Sequence, residues 1–293
     1  MIIQNIVLHV KHYQMNTSFQ TANFTHNIRD SWIIKITDSD GFSGYGEASP
    51  LSNFNSESFE ESGYCLEGFK LAVIDINDDI SLDELLILSN VHTLNAPSAT
   101  FAIQTALYDL LSKRNNQSLN VFINPNTLST VKSNGIYGLT SIERYTTIKI
   151  KCGFRNLYDE IELIDSLSNR YNTDVNFILD LNQAYDLPKA IRFLKEINRF
   201  NIKYIEQPLD KNELEDLEEL RYHSDIPIAL DESITNIESI NKVLDQNAAD
   251  IFILKPQLIG GFEKLSQTIK LISNANKKVV ITCSLEGNIG RFS

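Results

Sequence analysis

The chain is short of the residues that mark secreted, membrane or nucleic-acid-bound proteins. Only three of its 293 residues are cysteines, Cys65, Cys152 and Cys283. They stand too far apart for a zinc-type pair, and an odd, sparse set builds no disulfide framework, so a reducing, cytoplasmic setting is expected. Positive charge is also scarce. Lys and Arg number 26 against 38 Asp and Glu, a net charge of −12, whose field repels phosphates and argues against nucleic acid or an anionic membrane as partner. No uninterrupted apolar run reaches the roughly 18 residues of a membrane span, and the first ten residues carry no basic export signal. With Gly at 12 and Pro at 7, collagen-like and low-complexity readings fail. The five histidines, His9, His12, His26, His92 and His223, show no metal-binding spacing. Any metal chemistry must therefore use carboxylates.

What is present reads as two units, residues 1–125 and 126–293. Residues 2–10 and 32–37 are β-rich, and Asp38-Ser39-Asp40-Gly41 is a turn leading to Phe42-Ser43-Gly44-Tyr45-Gly46, so a small antiparallel sheet is expected. Three helices follow: one opened by Ser56-Glu57-Ser58, one over Ser81 to Asn90, and one started by Pro97. From about residue 131 short β-branched runs alternate with helical segments, the grammar of a parallel sheet. The runs end at Asn134-Gly135, Lys151, Asp180, Glu206, Asp231, Lys255 and Ser284. From Lys151 onward the intervals are 29, 26, 25, 24 and 29 residues. One βα unit per interval predicts a β/α barrel whose functional residues converge at the C-terminal mouth.

Asp180, Glu206 and Asp231 close three successive strands, which suits a hard divalent cation that takes oxygen ligands. Lys149 and Lys151 share one face of the strand before them, and Lys255 ends the strand after them. Inward-facing lysines between helix-covered strands need charged partners, and the acids supply them. A second lysine and a cation nearby disfavour an ammonium, which fits Lys151 to act as a base on the weakly acidic carbon beside a carboxylate.

Lys149-x-Lys151, Asp180-x-Asn182, Glu206-Gln207-Pro208, Asp231-Glu232 and Lys255-Pro256, in this order, resemble the enolase superfamily. Gly44-Tyr45-Gly46-Glu47-Ala48-Ser49-Pro50-Leu51, Pro97-Ser98, Ser133-Asn134-Gly135, Leu254-Lys255-Pro256-Gln257-Leu258-Ile259-Gly260-Gly261-Phe262 and Thr282-Cys283-Ser284-Leu285-Glu286-Gly287-Asn288-Ile289-Gly290 are similar to the o-succinylbenzoate synthases within it. The resemblance implies an α/β fold, a modified TIM-type (β/α)7β barrel with an N-terminal α+β capping domain. It also implies a lyase of menaquinone biosynthesis that dehydrates 2-succinyl-6-hydroxy-2,4-cyclohexadiene-1-carboxylate. Mg²⁺, or Mn²⁺ in its place, would sit on Asp180, Glu206 and Asp231. Lys151 would take the α-proton, Lys255 would face the ring as a cation, and Lys149 would assist. Asn182 and Glu232 would orient these groups. Ser284, with Phe19, Leu51 and Phe54 from two cap loops near Met15–Phe19 and Leu51–Phe54, would bind the small carboxylate substrate.

The same residues suit an N-acylamino acid racemase or a dipeptide epimerase, with Lys151 and Lys255 as opposed bases. The Asp-x-Asp expected of dipeptide epimerases in the last barrel segment is Thr282-Cys283-Ser284 here, which weighs against them. Cycloisomerisation of muconate-like diacids fits the loops less well, and a non-catalytic carboxylate-binding barrel is the reading from another class. Only 13 residues separate Gly135 from Lys149, so the first barrel helix is expected to be cramped. Eight full units after such a cap need roughly 325 residues, so the last strand is expected to be missing. The sequence leaves the oligomeric state open.

Overall fold

The computed structural model describes residues 1–20, 25–54, 56–171 and 175–291, and of residues 15–20, 25–27, 53 and 142 the backbone alone. Strands β1 (Ile3–Gln20), β2 (Thr25–Asp38) and β3 (Ser43–Ala48) form an antiparallel sheet in that order. The turn between β2 and β3 is made by Asp38, whose Oδ1 accepts from the N–H groups of Asp40 (3.1 Å) and Phe42 (2.9 Å). The first two strands outrun the expected 2–10 and 32–37. Residues 9–14 are mostly exposed, so no apolar alternation marks them, yet the cross-strand pairing continues.

Helices α1 (Phe59–Ile74) and α2 (Leu82–His92) each begin at a capping box, Ser58 with Glu61 and Ser81 with Glu84. Each box satisfies two N-terminal N–H groups that would otherwise lack partners. Helix α3 (Pro97–Arg114) lies directly on β3, followed by the short α4 (Leu119–Ile123). The contact explains Gly44 and Gly46. A Cβ at either position would stand 1.9 or 1.8 Å from the carbonyl oxygen of Ala106 or Ala102. Ile34, Ile36, Leu66, Phe69, Ile103 and Leu107 form the core between sheet and helices.

The second sheet is parallel. Its strands are β4 (Gly135–Ile136), β5 (Thr147–Lys151), β6 (Asn176–Asp180), β7 (Ile202–Glu206), β8 (Ile228–Leu230), β9 (Ile251–Leu254) and β10 (Lys278–Ile281). Helices α5 (Leu157–Tyr171), α6 (Leu187–Ile197), α7 (Leu214–Tyr222) and α8 (Ile237–Asp245) connect them as far as β9. The short α9 (Pro256–Ile259) and α10 (Phe262–Asn274) then lead to β10, and α11 (Asn288–Arg291) follows it. The strands run β10-β9-β8-β7-β6-β5-β4, curled into an open half-barrel. Between β4 and β5 there is only a single helical turn, Ile142–Arg144, as the spacing predicts. The last barrel run stops at Ile281, three residues before the expected Ser284, which belongs to the following loop.

Side-chain parity sets what each strand offers. Phe177, Leu179, Ile205, Ile228, Leu230, Phe252 and Leu254 pack outward under the helices. Ile178, Tyr204, Ala229, Ile251 and Ile253 form a separate inner cluster. Two residues beyond members of that cluster, on the same face, come Asp180, Glu206, Asp231 and Lys255. The polar layer at the mouth thus stands on an apolar floor. No helix among the described residues is long and apolar enough to cross a membrane.

Candidate active site

Strand register brings Lys151 beside Asp180, and Asp180 beside Glu206. Lys149 Nζ bridges Asp180 Oδ2 at 2.7 Å and Glu206 Oε1 at 2.6 Å. Lys151 Nζ donates to Asp180 Oδ2 at 2.6 Å and to Asn182 Oδ1 at 2.8 Å. Across the mouth, Lys255 is ion-paired with Asp231. All three acids are buried, and Lys255 is 8% exposed. In sheet order the acids on β6 and β7 and just beyond β8 stand between the lysines of β5 and the lysine after β9.

The surrounding groups hold this layer in place. Asn182 Nδ2 donates to Glu232 Oε1 at 2.8 Å, which turns the amide oxygen toward Lys151. Gln207, fully buried, accepts at Oε1 from the N–H groups of Asp231 (3.0 Å) and Ser233 (3.1 Å), so it shapes the loop that carries Asp231. Asn182, Gln207 and Leu285 have φ of +42°, +38° and +62°. Left-handed backbone is costly for residues with a side chain, and here it falls within two residues of the strand ends at Asp180 and Glu206 and directly after Ser284 in the loop beyond β10.

The electrostatics are uneven. Burial pushes the Asp180 carboxyl up, but the ammonium groups of Lys149 and Lys151 outweigh it and hold the group well below the usual carboxylate range. Glu206 goes the other way, pushed up to about 8 by burial and by the charge of Asp180. Glu232 is pushed up to about 7 by burial and by Asp231. Among the described residues no three Asp, Glu, His or Cys side chains converge into a ready-made metal cage. Each acid of the trio is instead turned onto a lysine. The donor chemistry nevertheless fits a hard divalent cation: three buried carboxylates on adjacent strands, one of them short of compensating positive charge.

The other expected site residues are placed as follows. The Phe54 ring lies over Lys255 Nζ, 4.1 Å from its centroid. Leu51 is buried at 5% exposure. Residues 15–19 continue strand β1 instead of forming a loop, and the Phe19 side chain lies outside the described residues. Ser284 is 2% exposed, and its Oγ has no hydrogen-bond partner among the described residues. Three residues that the sequence did not single out for this region reach it. Arg29 donates to the carbonyls of Ser49 (2.7 Å), Pro50 (3.0 Å) and Ser284 (3.2 Å). Glu286 accepts from the Ser284 N–H, and Tyr13 fills the space a Cβ on Gly287 would need, 2.4 Å from its Cζ.

Comparison with known proteins agrees with this fold and corrects one expectation. Residues 3–123 match the mandelate racemase / muconate lactonizing enzyme N-terminal domain, and residues 138–292 match the family described as enolase C-terminal domain-like. An L-amino acid-D/L-Glu epimerase of Francisella philomiragia is 25% identical over 289 residues, covering 94% of this chain and 81% of the relative. The crystal structure of a dipeptide epimerase from Enterococcus faecalis, complexed with Mg and L-Leu-L-Tyr, superimposes with a TM-score of 0.84 at 22% identity, over 98% of this chain and 84% of that one. That of an N-succinyl Arg/Lys racemase from Bacillus cereus gives 0.86 at 20% identity, over 99% and 82%. These relatives are isomerases, which overturns the expectation of a carbon–oxygen lyase of menaquinone biosynthesis. The chain belongs to the enolase superfamily, pairing an N-terminal domain of the mandelate racemase and muconate lactonizing type with an enolase-like barrel.

Proposed function

We propose that this protein inverts the α-carbon next to a carboxylate, acting as an epimerase of dipeptides at their C-terminal residue. The observation that carries the reading is the pair of lysine positions, Lys151 on β5 and Lys255 after β9, on either side of three buried acids. Lys151 Nζ takes the α-proton on one face: the C–H bond breaks, its electrons move toward the carboxylate, and an N–H bond forms. Lys255 Nζ gives a proton to the opposite face. In the reverse direction the two exchange roles, and nothing is oxidised or hydrated. Asp180, Glu206 and Asp231 would hold a Mg²⁺ ion, which would supply positive charge to stabilise the negative charge that develops on the substrate carboxylate. Lys149 fixes Asp180 and Glu206 relative to each other. The Ser284 hydroxyl, buried and without a hydrogen-bond partner among the described residues, would be the donor to the substrate amide. Racemisation of N-succinyl amino acids is the second reading, because the same inversion is the activity named for the Bacillus cereus relative.

The test is incubation with Mg²⁺ in D2O, following inversion and α-proton exchange of L-Ala-L-Glu, a hydrophobic dipeptide and N-succinyl-L-Lys. Inversion of a dipeptide supports the proposal. Inversion of the N-succinyl substrate alone favours the second reading, and the absence of any exchange points to a non-catalytic barrel. Within this mechanism Asn182→Leu removes the acceptor on Lys151 and the donor to Glu232, and a rate loss of about 10- to 100-fold is expected. A chiral assay of the variant against wild type measures it, and an unchanged rate would show that Asn182 does not orient Lys151.

A further inference from the structure

We infer that the N-terminal domain positions one of the two lysines, Lys255, so that the two faces of the substrate depend on different parts of the chain; this rests on the assignment of Lys255 as a proton-transfer group. The grip is on the segment Lys255–Gln257, at both ends. Gln257 is fully buried, and its side-chain amide pairs with the end of β3 much as a neighbouring strand would. Ser49 N–H donates to Gln257 Oε1 at 2.8 Å, and Gln257 Nε2 donates to the Glu47 carbonyl at 3.2 Å. At the other end the Phe54 ring covers the Lys255 ammonium, which also pairs with Asp231. An ammonium over an aromatic face is held by the ring quadrupole, and more firmly when water is excluded.

The segment 47–54 that makes both contacts is itself anchored. The buried Glu47 carboxylate accepts from Ser49 Oγ at 2.9 Å, from Gly287 N at 2.6 Å and from Gly290 N at 2.9 Å. A buried carboxylate needs such donors, and here two of them lie beyond β10, Gly287 in the loop and Gly290 in α11. Arg29 binds the carbonyls of Ser49, Pro50 and Ser284 together. The end of β3 is therefore fixed at once to the loops after β9 and β10. Lys149 and Lys151, by contrast, pair with barrel carboxylates, Lys149 with Asp180 and Glu206, and Lys151 with Asp180, its partner in strand register. Gln257 and Phe54 act as positioning residues for Lys255.

The test uses the full chain with Mg²⁺ and the variants Gln257→Leu and Phe54→Leu. Starting separately from L-Ala-L-Glu and L-Ala-D-Glu in D2O, initial α-proton exchange is measured for each epimer. Lys151→Ala and Lys255→Ala assign which epimer each lysine deprotonates. Displacing a reacting group by an ångström costs about 10²-fold, so both positioning variants are expected to slow exchange of the Lys255 epimer by about that factor, with little change for the other. Phe54→Tyr is expected to restore the rate. An equal loss for both epimers overturns the proposal, since a merely structural role would give that result. A second readout does not need turnover: the acetylation rates of Lys255 and Lys151 by acetic anhydride, read by mass spectrometry. A raised Lys255-to-Lys151 ratio in both variants supports the proposal, and an unchanged ratio overturns it. If the wild type exchanges neither epimer, the activity reading fails and the labelling ratio alone decides the positioning.

Discussion

Lys151→Ala is expected to lower dipeptide inversion by about 10⁴-fold, the upper range for removing a general base, while leaving the fold and one half of the exchange chemistry in place. Lys151 Nζ lies 2.6 Å from Asp180 Oδ2. Asp180 remains paired with Lys149 at 2.7 Å when Lys151 is shortened, so no buried carboxylate is left without a cation, and thermal unfolding should change little. Inversion needs both lysines, but exchange of a single epimer needs only the one on its face. The alanine variant should therefore still wash deuterium into the epimer that Lys255 deprotonates, and Lys255→Ala should show the mirror pattern. Chiral chromatography measures the inversion, and proton NMR in D2O measures the exchange. Retention of more than a tenth of wild-type inversion in Lys151→Ala would mean the base is assigned wrongly.

The barrel and its polar layer were legible because a parallel sheet covered on both faces forces its strands to be apolar until the mouth. Each of Asp180, Glu206 and Asp231 therefore stands out at the end of an apolar run, at βα spacing. The reaction type was less legible. Dehydration and epimerisation both begin with the same α-proton abstraction, so Lys149, Lys151 and the acids serve either. The two differ in what happens on the opposite face, where sequence names Lys255 but not its task. Nor could local pattern reveal Arg29 beside the Ser284 carbonyl, 255 residues away, or the pairing of Gln257 with the end of β3. Those contacts belong to the joining of the two domains. The far part of β1 lacked a signal for a simpler reason: residues 9–14 are mostly exposed and carry no apolar alternation, while β2 buries the polar Arg29 and Ser31 there instead of apolar side chains.

Lys149→Met, which keeps the length of the side chain and removes its charge, is expected to destabilise the cation-free protein by about 3 kcal/mol, the cost of breaking one side of a buried ion pair. Lys149 Nζ is the bridge between Asp180 and Glu206, whose side chains are each 1% exposed. Burial works against its charge, but the two carboxylates outweigh that and raise the Lys149 pKa well above the ordinary lysine value. A lysine raised in this way contributes its full stabilisation below the unfolded-state value and loses it only as pH rises through the folded one, so at neutral pH the whole contribution is at stake. The pH profile should change as well. In the wild type Glu206 is raised from 4.5 to about 8, so the folded state binds a proton there more tightly than the unfolded chain, and stability falls as pH rises across that window. Without Lys149 the Glu206 carboxyl loses its nearest cation and should be raised further, which carries the fall to higher pH. A divalent cation on the same carboxylates replaces the missing charge, and a ligand that binds only the folded state stabilises by mass action. Urea unfolding at pH 6 and pH 8, with and without Mg²⁺ at one concentration, about ten times its wild-type Kd and so worth about 1.4 kcal/mol in the wild type, should therefore show a larger Mg²⁺ response in the variant than in the wild type, and larger at pH 8. Equal stability of the two cation-free proteins would mean that the Lys149 bridge contributes nothing, and no response to Mg²⁺ in either would mean that Asp180, Glu206 and Asp231 do not share a cation.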